Sequence, residues 1–238
     1  MRWSMSLTKE FQEIINDIGM PQNSMPLSVE KLSTLGECVP GTIKEFWAAC
    51  GIGSFFDGLF QMCDPVKFAS ILPLIFKSDK DFDHRDCVVL AYTAFGYLYI
   101  WSRRHGVVRI DLPRGMVFSR TLAPTVFKGE QADAVLADND ERTVLSIFPF
   151  SADDVDYADV DGKPMFERCR KEYGSLASGE CYGFFPALAL SGRGQSAGRV
   201  ENIKRVEALG HFTILAQLDT FHLTKLSPDG FAAVRPIG

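Results

Sequence analysis

The chain holds only four histidines, His84, His105, His211 and His222, and no two of them have the HExxH or a related spacing that sets imidazoles around zinc. None of its six cysteines, at positions 38, 50, 63, 87, 169 and 181, lies within two to four residues of another, so neither a zinc knuckle nor a CxxC redox pair is present. There is no GxSxG elbow to carry a nucleophilic serine. Gly192, Gly194 and Gly198 miss the GxGxxG spacing, and no P-loop lysine follows them. The longest apolar runs, Ile71 to Phe76 and Phe184 to Leu190, are far below the roughly 20 residues of a membrane-spanning helix. An excess of basic residues is missing too. With 25 Lys and Arg against 30 Asp and Glu the formal charge is −5, which argues against direct nucleic-acid binding, because that depends on cations neutralising phosphates.

These absences leave a globular chain with no cofactor or metal to expect and no catalytic signature. Its 238 residues, 46% hydrophobic and 23% charged, suffice for one large domain or two of roughly a hundred residues. The opening MRWSMSLTKEFQEIINDIG carries Lys9, Glu10, Glu13 and Asp17, which interrupt any apolar run that could direct export. Cysteines set among apolar neighbours read as reduced core thiols. Both features predict a cytoplasmic protein that neither enters nor spans a membrane.

Along the chain, Phe11, Ile14, Ile15 and Ile18 recur at helical spacing before Gly19 and Pro21. Ser28 is placed to cap a short helix over LSVEKLSTLGE, and Pro40 opens a third over GTIKEFWAAC that Gly51 stops. SFFDGLFQMC reads as an extended aromatic segment, and Asp64-Pro65 starts a helix that Pro73 interrupts. CVVLAYTAFG, YLYIWSRRHG, VVRIDLPRG and MVFSRTLA are β-rich runs separated by glycine turns, a four-stranded antiparallel meander. After Pro124 a helical pair or bent helix is expected over GEQADAVLADNDERTVLSIF. There follow an acidic loop, a helix at MFERCRKEYG, an extended CYGFFPALAL, a glycine-rich loop, a helix at RVENIKRVEALG and a final strand at HFTILAQL. Helices segregated around a meander predict an α+β fold of two closely packed subdomains, 1–125 and 126–238.

DDVDYADVDG superficially has the make-up of a calcium loop. With Gly162 at the invariant glycine position, Asp159 and Asp161 fall on ligand positions. Tyr157 then occupies the first ligand position and Arg168 that of the bidentate glutamate, so the loop is not a calcium site.

Two stretches bear a resemblance to known families. VPGTIKEFWAACGIGSFFDGLFQMCDP and LAYTAFGYLYIWS in the first half resemble the GAD-like domain of bacterial immunity proteins, and the Phe-Trp helix before a glycine turn also resembles the wider SMI1/KNR4 group. DVDGKPMFERC, ECYGFFPALALSG and RVENIKRVEALGHFTILAQL occur in the order and approximate spacing of the C-terminal domain of type VI secretion immunity proteins; the extended GRGQSAG loop departs from that pattern. The resemblance implies no catalysis. It implies instead a protein that binds a cognate toxin, commonly a DNase, and blocks its active site or DNA-binding surface. A nuclease attracts DNA with positive charge, so an acidic inhibitor gains long-range steering toward it. The expected interface is therefore the acidic loop Asp153, Asp154, Asp156 and Asp159, followed by Asp79, Asp81, Asp83, Asp138, Asp140 and Glu141. The alternative is a small-molecule or phosphate-binding regulatory module using the Gly192 to Gly198 loop, whose amides precede an expected helix.

Overall fold

The computed structural model describes residues 8–124, 141–190, 198–227 and 230–238. The first helix, α1 (Lys9–Ile18), buries Phe11 and ends at Gly19, whose N–H returns to the Ile15 carbonyl at 2.9 Å. β1 (Gln22–Met25) leads to α2 (Val29–Thr34), where the Ser28 hydroxyl accepts from Lys31 N at 3.2 Å as expected of a cap. α3 (Gly41–Cys50) buries Ile43, Phe46, Trp47 and Cys50. It stops at Gly51, where φ is +78° and a Cβ would lie 2.7 Å from the Met25 carbonyl oxygen, so only glycine fits.

The aromatic segment that follows is a hairpin of β2 (Ile52–Phe55) and β3 (Phe60–Met62). Asp64 caps α4 (Pro65–Phe68), and α5 (Leu72–Phe76) restarts the helix with Pro73 in its first turn, where the missing N–H costs nothing. The expected meander is present as β4 (Cys87–Thr93), β5 (Tyr97–Ser102), β6 (Gly106–Asp111) and β7 (Met116–Ser119). Of the helical pair expected after Pro124, residues 125–140 lie outside the described residues. Residues 141–147 form a 3-10 helix.

In the second half α6 (Phe166–Tyr173) and β8 (Glu180–Phe184) stand where expected, but the next two elements are exchanged. IKRVE, expected as helix, is β9 (Ile203–Glu207), paired antiparallel with β8. HFTILAQL, expected as a strand, belongs to α7 (Ala208–Leu218). Its buried residues Ala208, Phe212, Leu215 and Ala216 recur at intervals of four, three and one, a helical stripe that the apolar run concealed. Glu207 settles the boundary: its carboxylate accepts from Leu209 N at 3.0 Å and from Gly210 N, ending the strand and capping the helix. A hairpin the sequence did not suggest, β10 (His222–Ser227) and β11 (Gly230–Pro236), completes the chain.

The fold is α+β. Nine strands form one sheet in the order β1-β2-β3-β4-β5-β6-β7-β10-β11, antiparallel except where β10 runs parallel to β7. The sheet therefore crosses the boundary expected near residue 125. One face carries Leu98, Ile100, Val108, Ile110, Val117 and Leu223 against α5 and α7. The opposite face carries Tyr99 and Trp101 against α3, the 141–157 segment and α6. Phe148 from the second half contacts four first-half rings, Phe46 at 5.0 Å, Phe55 at 6.1 Å, Phe11 at 6.3 Å and Phe60 at 6.4 Å, so both halves share this core.

Gln61 on β3 ties the halves by polar contacts. Its amide donates to the Gly58 carbonyl at 3.2 Å and to the Glu180 carbonyl at 2.9 Å; its oxygen accepts from Tyr92 Oη at 2.9 Å and from Gly179 N at 3.1 Å. All donor and acceptor positions of a 2% exposed amide are thus filled, two of them by the second half. Gln61→Leu removes these bonds and strands buried partners; chemical denaturation is expected to show a loss on the order of 3 kcal/mol. Phe148→Ala is expected to cost about 3–5 kcal/mol in the same assay.

Candidate functional site

The face of the sheet that carries Tyr99 and Trp101 is not covered uniformly. Register places Tyr97 opposite Asp111, Tyr99 opposite Arg109, and Arg109 opposite Phe118, so alternate residues of β5, β6 and β7 point the same way. β10 and β11 extend that face with Thr224, Leu226 and Phe231. Above it, Ser146 and the Asp154 to Ala158 turn form the opposing wall of a cleft of about 660 Å³. This volume is within the range of binding clefts in general.

The cleft's carboxylates are already engaged. Asp111, with a side chain 5% exposed, accepts from Arg114 N and Arg114 Nη1 at 3.1 Å each; burial pushes its carboxyl up and Arg114 opposes this. Asp156 accepts from Tyr157 N at 2.6 Å, Phe166 N at 3.0 Å and Met165 N at 3.3 Å, which secures the start of α6. Burial raises its pKa against those three amides. Asp154 closes a capping box, accepting from Ser151 N at 2.8 Å and Ser151 Oγ at 3.2 Å.

The donors are left over. Arg109 gives one N–H to the Ser146 carbonyl at 3.2 Å and lies over the Tyr99 ring at 5.7 Å, with no carboxylate partner among the described residues. Arg120 is exposed at the cleft without an ion pair among the described residues. The Tyr157 hydroxyl is buried with no hydrogen-bond partner among the described residues, while the Arg114 guanidinium covers its ring at 4.4 Å. Sequence reasoning missed these residues. The strands of the meander were expected, but only the register between them shows that these residues converge.

Of the ten acidic residues expected at an interface, those that are described differ in exposure and in partners. Asp153 is exposed on the 3-10 turn Ala152–Asp154, and Asp154 is exposed at the cleft wall. Asp159 is 8% exposed and bonded internally to Arg168 Nη1, Asp161 N and Lys163 N. Arg168, the residue in place of a calcium-loop glutamate, thus closes the turn as a charge pair and holds the Asp159 carboxyl down to about 2. Asp79 and Asp81 share Arg235 of β11, and Asp79 also accepts from Asp81 N, Phe82 N and Gly238 N. Asp83 caps the 3-10 turn His84–Asp86 and forks onto Arg85. Glu141 opens the 3-10 helix of residues 141–147; Asp138, Asp140 and the loop residues 192–197 lie outside the described residues.

His105 sits in the β5–β6 turn as expected, with Nδ1 3.1 Å from Thr121 Oγ1 and Nε2 2.9 Å from the Asp81 carbonyl. His211 lies on α7 rather than a strand and stacks on Phe185 at 5.6 Å. All six cysteines are free thiols, five of them buried. Among the described residues no three His, Cys, Asp or Glu side chains converge as a metal set, and no helix is long and apolar enough to cross a membrane.

Residues 9–113 match the family model of the GAD-like domain, and residues 143–219 match that of the C-terminal part of the T6SS immunity protein Tdi1. The two matches stand in the order in which the sequence resembles these families, and together they span most of the chain. Its structure is similar to the crystal structure of Atu4351 from Agrobacterium tumefaciens, with a TM-score of 0.79 and 29% identity over 96% of this chain and 98% of that one. No curated protein matches the chain.

The Asp79 carboxyl has an acid-range consequence. Burial alone would raise its pKa, but the bonds from Arg235, Asp81 N, Gly238 N and Phe82 N outweigh it and lower it to about 2. Its contribution is thus fully present above the unfolded carboxyl value near 4 and is lost as pH falls from about 4 through about 2. Asp79→Asn is expected to lower stability at pH 7 by about 2 kcal/mol and to flatten its pH dependence in that window, read by urea melts across the series.

Proposed function

We propose that this chain is an immunity protein that neutralises a cognate type VI toxin, a nuclease, by binding it stoichiometrically and covering its active site or DNA-binding surface in the cytoplasm, without catalysis of its own. The observation that carries this reading is the match of residues 143–219 to the C-terminal part of a type VI immunity protein. The net charge of −5 supports it, because a nuclease must present positive potential to DNA and an acidic antagonist is drawn to the same surface. The exposed carboxylates of Asp153 and Asp154 are the acids of the 153–159 loop available to such a partner; Asp156 and Asp159 hold the loop and the start of α6 together.

Co-expression with the toxin encoded beside this chain is expected to rescue growth and to yield a co-purifying complex whose DNA cleavage is suppressed. Loss of both protection and binding overturns the reading. Asp153→Lys is expected to slow association severalfold and to weaken its salt dependence while leaving the thermal midpoint unchanged, measured by stopped-flow kinetics and melting. Asp156→Ala is expected instead to cost about 1–2 kcal/mol of stability, because it uncaps α6.

A further inference from the structure

We infer that the cleft on the open face of the sheet is where the toxin docks, and that it receives a toxin segment presenting a carboxylate to Arg109 and Arg120 beside a cation for Asp153 and Asp154. This inference rests on the toxin-binding reading above and extends it from an acidic loop to a two-sided site.

Three observations carry it. First, the hydrogen-bonding capacity of the cleft is unbalanced: Asp111 and Asp156 have both carboxylate oxygens occupied by partners within the chain and Asp154 is bonded through Oδ2, whereas Arg109 and Arg120 have no carboxylate partner among the described residues. An arginine fork without a carboxylate is the group best suited to one arriving from outside, through two parallel N–H bonds. Second, Tyr157 is 9% exposed and lines the cleft, and its hydroxyl is buried with no partner among the described residues. Such an unmet donor costs stability unless something outside the chain satisfies it.

Third, the rim is apolar. Phe231 is 57% exposed and Leu226 44% exposed, opposite each other on β11 and β10, and Phe231 meets Phe118 edge-on at 5.4 Å. Exposed aromatics beside unpaired arginines match the composition of energetically dominant interface residues. The charge layout selects the occupant. Arginines lie on the sheet floor, and Asp154, with Asp153 beside it, lies on the facing turn. A uniformly basic or uniformly acidic segment would satisfy only one wall, so the complementary segment carries both signs in close succession.

The test uses the full chain and the toxin encoded beside it, purified with its nuclease activity inactivated by mutation. Affinity is measured by calorimetry for the parent, the double variant Arg109→Glu/Arg120→Glu, the milder Arg109→Gln, Phe231→Asp, and Lys171→Glu on α6 outside the cleft. Thermal melts establish that each variant is folded. The expected result is a loss of about tenfold or more for the double variant and for Phe231→Asp, a smaller loss for Arg109→Gln, and no change for Lys171→Glu. A parent complex whose affinity is unchanged in the folded double variant and in Phe231→Asp overturns the cleft as the docking site and leaves the toxin-binding reading standing. Absence of any parent complex overturns both. Stabilisation of the parent by inorganic phosphate or adenosine monophosphate, abolished in the double variant while toxin affinity stays at the parent value, overturns the inference in favour of a small anion. A concentration-dependent dimer in sedimentation that Phe231→Asp abolishes, again at unchanged toxin affinity, overturns it in favour of a second copy of this chain.

Discussion

The buried amide of Gln61 is the constraint on which the relation between the two halves depends. An amide with two donors and two acceptor lone pairs is stable in an apolar interior only if all four are met. Here one half supplies Gly58 and Tyr92, and the other supplies Gly179 and Glu180. Apolar packing tolerates sliding because it has little directional preference, whereas four hydrogen bonds to fixed backbone and phenol groups do not. The Tyr182 N–H donating to the Ala94 carbonyl at 2.7 Å continues the same seam, bringing β8 onto the end of β4. Phe148 then fills the aromatic pocket that this alignment creates.

The placement of the second half also determines where the sheet remains open. The 141–157 segment covers part of the face that carries Tyr99 and Trp101, while the same half sends β10 and β11 to extend the sheet beyond β7. Cover and extension go to different places, and the cleft lies between them. The terminal hairpin is anchored by Arg235 to Asp79 and Asp81 and by the Ile237 N–H to the Phe221 carbonyl, so the strands that extend the cleft's floor are tied back to the rest of the fold. Binding surfaces built on strands with fixed register retain their geometry better than loops do.

The acidic residues divide along a line that charge alone does not reveal. Asp79, Asp83 and Asp159 accept from arginines or turn amides and work inside the fold, whereas Asp153 projects outward. All are carboxylates in short polar runs, and a count of charges treats them alike. What separates them is the position of a distant donor, such as Arg235, 156 residues from Asp79. The same limit explains the exchange of β9 and α7. IKRVE has enough charge to read as a helical face, and HFTILAQL has enough Thr, Ile and Phe to read as strand, until β8 supplies a pairing edge for one and the Glu207 carboxylate a cap for the other.

Local chemistry was sufficient wherever partners lie close in sequence. The Ser28 cap, the Gly51 stop, the Asp64-Pro65 start and the four-stranded meander follow from spacing, and so does the α+β class; the ordered motifs of both halves were enough for the resemblance to type VI immunity proteins. Tertiary structure alone decided that one sheet runs through both halves, that Asp159 closes a turn with Arg168, and that Arg109, Arg120, Tyr157 and Phe231 share one cleft. The physical reason is the range of the interactions: caps, turns and periodicity are fixed within about four residues, whereas strand register and the pairing of buried donors depend on groups brought together only when the chain has closed on itself.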